Sequence, residues 1–263
     1  MGDLGLVALQ ARYSLVALFR TPRAVIFGVV FPPLLVVIFN SIFAKSGSGP
    51  QVTHFDGTTL DNQSYFTAGI MAYAITLSSF STLAIALTTQ RESGQLKRYR
   101  GTPVPAWTFI AALVVRSIAL TCLTVAATYA AGAAYGASIS GEGVVGLVVY
   151  AVLGTATMCA LGIGLTAVTP TAEAASAIAP FSAVLLSFIS GVFVPIDQIG
   201  STLADVGRVF PLAHLAEGLQ ESFAANGSTG LDAGNVAALA GWMLVAVVVA
   251  TRRFRWEPQA SRG

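Results

Sequence analysis

Long apolar runs recur along this chain, and they constrain its fold more than any other feature. A helix needs about 20 apolar residues to cross the hydrocarbon core of a membrane. Only 10% of the 263 residues are charged, against about 25% in soluble domains. The sequence therefore predicts one all-α integral membrane domain over 1–263, because a helix satisfies its own backbone in lipid. Six transmembrane helices are expected, at about 24–43, 66–88, 107–136, 144–168, 174–194 and 233–251.

The first 23 residues predict an amphipathic helix that lies on the membrane surface. Val7, Ala11 and Leu15 recur at helical spacing. Arg12 stands in the middle of this segment and disfavours a buried span.

The distribution of charge predicts which side each loop faces. Lys and Arg are concentrated in cytoplasmic loops of membrane proteins. The segments that would share one side hold Arg12, Arg20, Arg23, Arg91, Lys97, Arg98, Arg100, Arg252, Arg253, Arg255 and Arg262. The other side holds only Lys45 and Arg208, with most of the acids: Asp56, Asp61, Glu142, Asp197, Asp205, Glu217, Glu221 and Asp232. Both termini and the 89–105 loop are therefore expected in the cytoplasm.

The external segment 195–232 carries a helical apolar pattern that Pro211 interrupts. It predicts two short amphipathic helices that rest on, or dip into, the outer leaflet. These helices either cap the bundle or gate an exit.

The 89–105 loop holds four of the fourteen basic residues of the chain. Gln90 to Tyr99 contains good helix formers and no proline, whereas Gly101, Pro103 and Pro105 stop a helix. The loop either only orients the protein or forms a docking helix for a partner.

Several kinds of chemistry are absent from the sequence. Neither Lys45 nor Lys97 belongs to a Gly-Lys-Ser/Thr phosphate-binding loop, so the chain is not expected to bind ATP or act as an enzyme. His54 and His214 are far apart, and neither a cofactor nor a metal site is predicted. Arg116 lies within the third run, where it either snorkels to the near interface or contacts substrate.

Acids in the middle of a span, which ion-coupled carriers use as relays, are missing, since Glu142 and Glu173 lie at span ends. A path lined by aromatic, Gly and Ser residues suits a hydrophobic or amphipathic cargo. Such aromatics otherwise serve core packing. The candidate lining residues are Ser78, Ser79, Phe80, Phe181, Phe188 and Ser190.

Five stretches together resemble one family, the type-2 ABC exporter permeases, which are membrane subunits of daunorubicin-resistance-like drug and lipid exporters. R-E-S-G-Q-L-K-R-Y-R-G-T-P-V-P at 91–105 is similar to the cytoplasmic signature of that family. Similar stretches are R-T-P-R-A-V-I-F-G-V-V-F-P-P-L-L-V-V-I-F at 20–39, A-A-S-A-I-A-P-F at 174–181, S-G-V-F-V-P-I-D-Q-I at 190–199 and F-P-L-A-H-L-A-E-G-L at 210–219.

The resemblance implies the ABC-2 fold of six spans, with a re-entrant helix pair before the last. It also implies efflux, including antibiotic resistance, from a bacterial cell membrane. The permease would pair with itself or a related permease in membrane lipid, and two separate ATPase subunits would bind ATP and Mg. No nucleic acid is involved. An ATP-independent carrier or channel, and a non-transporting scaffold, are the alternatives.

Carried over by position, the resemblance assigns two contacts with the ATPase. A coupling helix would include Arg91, Glu92, Ser93, Gly94, Lys97, Arg98 and Gly101. A second, smaller contact would include Thr169, Thr171 and Glu173.

Overall fold

A computed structural model describes residues 3–20, 25–43, 52–53, 59–102, 105–195, 198, 200–225 and 227–253. Several charges used to predict the orientation lie outside these residues: Arg23, Lys45, Asp56, Asp197, Arg255 and Arg262. His54, Pro103, Ile196 and Ile199 lie outside them as well.

The described chain is almost entirely helical. Its α-helices are α1 Asp3–Phe19, α2 Phe31–Phe43, α3 Asn62–Thr76, α4 Thr82–Glu92, α5 Gln95–Arg100, α6 Ala106–Ala133, α7 Gly143–Thr166, α8 Ala172–Ile189, α9 Ser201–Val209, α10 Pro211–Ala224 and α11 Ala233–Arg253. Two π-helical segments, Ile26–Val30 and Leu77–Ser81, lead into α2 and join α3 to α4. Two short strands, β1 Val52–Thr53 and β2 Thr59–Leu60, pair antiparallel with Val52 opposite Leu60.

Five helices of the described chain are long and apolar enough to cross a membrane: Asn62–Glu92, Trp107–Ala133, Gly143–Thr166, Ala172–Ile189 and Ala233–Arg252. The prediction of an all-helical membrane protein is confirmed. The region of the first predicted span holds a shorter apolar helix, Gly28–Ile42. Six spans therefore remain a prediction.

Local sequence signals fix the starts of two long helices. Asp61 precedes α3, and its carboxylate accepts a hydrogen bond from the Ser64 amide at 2.9 Å. Thr171 precedes α8, and its hydroxyl accepts from the Ala174 amide at 3.1 Å. Each side chain satisfies an amide that would otherwise lack a partner at a helix N-terminus.

The centre of the bundle is formed by α3, α7 and α10. Nearly all of α3 is buried, and so is most of α10. Leu215 of α10 lies against Gly154 of α7, and Gly218 of α10 lies against the ring of Tyr150. A side chain at either glycine would overlap its neighbour, so these two glycines permit the close approach of α10 to α7.

The two helices around Pro211 differ in burial. Two helices do flank Pro211, as the apolar pattern predicts. The first, α9, exposes Leu203 and Val206, but α10 is inserted among the other helices. Helix α10 has small residues between its leucines, so other helices can pack against nearly all of its sides. The spacing of the apolar residues in the sequence does not reveal this burial.

The N-terminal helix α1 packs along the first half of α6. Val7 and Ala11 of α1 are buried together with Ala112 of α6. The opposite side of α1 exposes Tyr13 and Phe19. This helix thus stands beside the segment that follows the 89–105 loop.

Candidate functional site

The chain reverses sharply between α4 and α5, and we call residues 91–102 the elbow. Gly94 has φ +71°, in the left-handed region that favours glycine, and its amide donates to the Arg91 carbonyl at 3.1 Å. No neighbouring atom would obstruct a side chain at Gly94, so glycine is required by backbone conformation and not by space. Helix α5 ends before Gly101, whose amide donates to the Arg98 carbonyl.

Arg91 lies inside the elbow and connects it to the end of α7. Its Nη1 donates to the Thr166 carbonyl at 2.6 Å. Its Nη2 donates to the carbonyls of Thr169 at 2.6 Å and Pro170 at 3.0 Å. The side chain is 1% exposed. A guanidinium is the side chain suited to this task, because its planar fork can reach several acceptors at once.

Glu92 makes a second connection to the same region. One oxygen of its carboxylate accepts a hydrogen bond from the Ala172 amide at 2.9 Å. Ala172 is the first residue of α8, where a negative charge interacts favourably with the helix dipole. We call the contacts of Arg91 and Glu92 with the backbone of 166–172 the loop junction.

Tyr99 attaches the other side of the elbow to α1 and α6. Its hydroxyl accepts a hydrogen bond from Gln10 Nε2 at 2.7 Å and lies 3.3 Å from the Thr108 hydroxyl. Its ring lies 4.9 Å from the ring of Phe109. Leu96, one helical turn earlier, is buried as well. The elbow is therefore held from two sides.

The outward side of the elbow is cationic. Lys97 and Arg98 are exposed, and so are Arg12 and Arg20 of the nearby N-terminal helix. The inward positions of α5 are Leu96 and Tyr99, so the six-residue helix has one packed side and one charged side.

The structure separates the predicted ATPase contacts into two groups. Arg91 and Thr169 are buried, at 1% exposure each, so a direct side-chain contact with a docked protein does not fit their positions. Gly94 is half-buried. The others lie on the surface, where contact with a partner stays a prediction: Glu92, Ser93, Lys97, Arg98, Gly101, Thr171 and Glu173.

The six candidate path residues do not lie together. Phe181 and Phe188 are 69% and 49% exposed on the outer side of α8, and a path inside a single chain does not pass them. Phe80 is half-buried, and Ser190 is buried with no hydrogen-bond partner among the described residues. Spacing along α8 does not show which of its sides meets the other helices.

Ser78 and Ser79 do belong to a buried polar cluster. Both hydroxyls lie 3.4 Å from the Thr121 hydroxyl, which also accepts from Thr155 at 3.0 Å. The cluster joins the π-helical segment to α6 and α7. It is a hydroxyl-to-hydroxyl connection between three parts of the interior.

Sequence reasoning missed Gln10, Tyr99 and Thr108, which hold the elbow. The spacing of Leu96 and Tyr99, three residues apart, is a signal for the packed side of α5. Nothing in the sequence marks the carbonyls that Arg91 reaches, since every residue carries one.

The family model described as ABC-2 type transporter matches residues 6–224, which include the elbow, the loop junction and α10. No curated protein matches the chain.

Proposed function

The chain belongs to the ABC-2 type transporter family, the membrane permeases of ABC transporters, and from this premise we propose that it is the permease of an ATP-driven exporter. Its cargo would be a hydrophobic or amphipathic drug, lipid or glycolipid, moved out of a bacterial cell or its inner leaflet. The ATPase would be a separate subunit present in two copies. A second permease, identical or related, would complete the assembly.

The observation that carries the proposal is the double attachment of the elbow. Arg91 and Glu92 tie it to the junction of α7 and α8, and Tyr99 ties it to α1 and α6. A displacement of the exposed side of α5 would therefore move four helices together. A flexible loop would absorb the same displacement.

In this mechanism the ATPase binds ATP and Mg, and this chain contributes the docking surface and the linkage. Lys97 and Arg98 would contact the ATPase, with Thr171 and Glu173 as a smaller contact. Movement of the ATPase would bias the bundle between inward-open and outward-open states. The buried Arg91 would act within the linkage.

The same surface supports the proposed orientation. Exposed basic residues gather at the elbow end of the helices, whereas Glu142, Asp205 and Asp232 are exposed at the opposite end. By the tendency of basic residues to face the cytoplasm, the elbow and both termini would be cytoplasmic.

Coexpression with an ABC ATPase encoded beside this chain tests the proposal. We expect the two to copurify and to support vanadate-sensitive, ATP-dependent transport of an amphipathic dye into inverted vesicles. The double variant Lys97→Glu/Arg98→Glu should insert normally but lose copurification. Arg208→Ala, an exposed charge at the opposite end, is the matched control.

Three results would contradict the proposal. Labelling that finds the elbow outside the cell would overturn the orientation and the docking site together. Transport driven by an ion gradient, with the purified chain alone, would favour a carrier. Copurification without any flux would favour a scaffold.

A further inference from the structure

Arg116 lies deep inside the helix bundle. It is the eleventh residue of α6, about 15 Å from the start of that helix at 1.5 Å per residue. The side chain is 6% exposed. It therefore does not snorkel to the interface, as one interpretation of the sequence had it, but faces the interior with Leu113, Ser117 and Leu120 of the same helix side.

The guanidinium of Arg116 is not satisfied by the described part of the chain. Its Nε and Nη2 are buried and have no hydrogen-bond partner there. Arg91 differs at its terminal nitrogens, both of which donate to backbone carbonyls, although its Nε is also buried without a partner among the described residues. Buried polar groups are nearly always paired, so an unpaired set indicates a missing partner.

No carboxylate of the surrounding helices can balance this charge. Helices α6, α7 and α11 contain no Asp or Glu. The segment 62–92 contains only Glu92, which bonds to Ala172. Helix α1 adds only Asp3, which is exposed. Cys159 of α7 is close enough to Arg116 to interact electrostatically, but a thiol does not neutralise a guanidinium at neutral pH.

We propose that Arg116 binds the acidic oxyanion group, a carboxylate or phosphate, of an amphipathic molecule inside the permease. The proposal rests on the proposed export function and narrows its cargo to acidic amphiphiles. A guanidinium matches either group because it can donate two parallel hydrogen bonds. The adjoining side of α6 is apolar at Leu113 and Leu120, which suits the tail of such a molecule.

Beyond Arg116, the same side of α6 carries buried hydroxyls at successive helical turns. Thr121 belongs to the cluster with Ser78 and Ser79. Thr124 and Thr128 follow it, and both hydroxyls donate to carbonyls one turn earlier.

A set of probes that share one tail tests the site. The full purified chain would be placed in nanodiscs of neutral phosphatidylcholine, and its thermal unfolding and probe affinity measured with oleate, oleyl phosphate and oleyl alcohol. We expect the two acids to stabilise the wild type and the alcohol to do so much less. Arg116→Gln should bind the acids at least about tenfold more weakly and bind the alcohol unchanged. The affinity of Arg116→Lys for the acids should lie between those of the wild type and Arg116→Gln.

Arg208→Gln, which removes an exposed arginine at the end of the helices opposite the elbow, is the matched control and should bind like the wild type. Acetate and inorganic phosphate alone distinguish a free ion from a group carried on a lipid tail. If they compete as well as the oleyl probes, the site takes free oxyanions and the cargo inference is wrong.

The variants also report on folding. Without any acid, Arg116→Gln should be at least as stable as the wild type, because it removes an unbalanced buried charge. A marked loss of stability in Arg116→Gln would show that Arg116 has a partner within the protein. Equal affinities of the wild type and Arg116→Gln for the acids would show that Arg116 binds no acid. Either result overturns the proposal. Binding is measured without the ATPase, so a failure of ATP-driven export would not affect this result. A failure to bind acids would likewise leave the proposed export function untouched.

Discussion

Replacing Arg91 by alanine removes three of the four hydrogen bonds that hold the loop junction, and the bond between the Ala172 amide and Glu92 remains. Hydrogen bonds with a charged partner contribute about 1.5–3 kcal/mol each. The three acceptors lie within one short turn, at Thr166, Thr169 and Pro170, so their losses overlap. We therefore expect the local opening free energy of residues 166–175 to fall by about 2–4 kcal/mol.

Amide hydrogen exchange of the purified chain measures this change directly. Where exchange follows local opening, a loss of that size accelerates exchange at the Thr169, Ala172 and Ala175 amides by about 30- to 1000-fold. Arg91→Lys should recover only part of the protection, because an ammonium is a compact point charge without the planar fork.

Arg98→Ala is the control for the elbow. Its side chain is exposed, and exposed substitutions shift stability by less than about 0.5 kcal/mol. We expect this variant to keep native exchange at 166–175 while weakening ATPase assembly. Native exchange in Arg91→Ala, together with native assembly, would refute the assignment of Arg91 to the linkage.

Three further changes test neighbouring parts of the argument. Glu92→Ala should speed exchange at the Ala172 amide, whereas Glu92→Gln, which can still accept that hydrogen bond, should largely preserve it. Gly94→Ala should lower thermal stability by about 1–2 kcal/mol, because a side chain disfavours φ +71°; an unchanged melting temperature would contradict the turn. Gly218→Ala should cost about 1–3 kcal/mol in unfolding measurements by forcing apart α10 and Tyr150, and Tyr150→Ala in the same chain should relieve the overlap.

Much of the architecture follows from the order of residues. Apolar runs of membrane length predict helices wherever they occur, because each helix pairs its own backbone in lipid. The helix starts at Asp61 and Thr171 are equally local. The stop of the elbow near Gly101, and the break before Pro211, depend on a few adjacent residues.

The roles of single side chains were harder to predict. Arg91 and Arg98 both belong to the basic elbow, and both were assigned to the docking surface. One is buried and bonded to carbonyls 75 to 79 residues away, and the other is exposed. Arg116 faces the interior of the bundle, whereas one interpretation of the sequence places it at the membrane interface. Phe181 faces outward, whereas the sequence analysis assigns it to a substrate path.

The division has a physical reason. A helix, a cap or a turn is stabilised by interactions among residues a few positions apart, so the amino-acid sequence determines it directly. The side of a helix that becomes interior depends on which other helices pack around it. Gly154 lies opposite Leu215, and Gly218 lies opposite Tyr150, so these two glycines make room for α10 only in the assembled bundle. The tertiary structure alone decided that Arg91 is an internal tie and that two nitrogens of Arg116 are buried without a hydrogen-bond partner among the described residues.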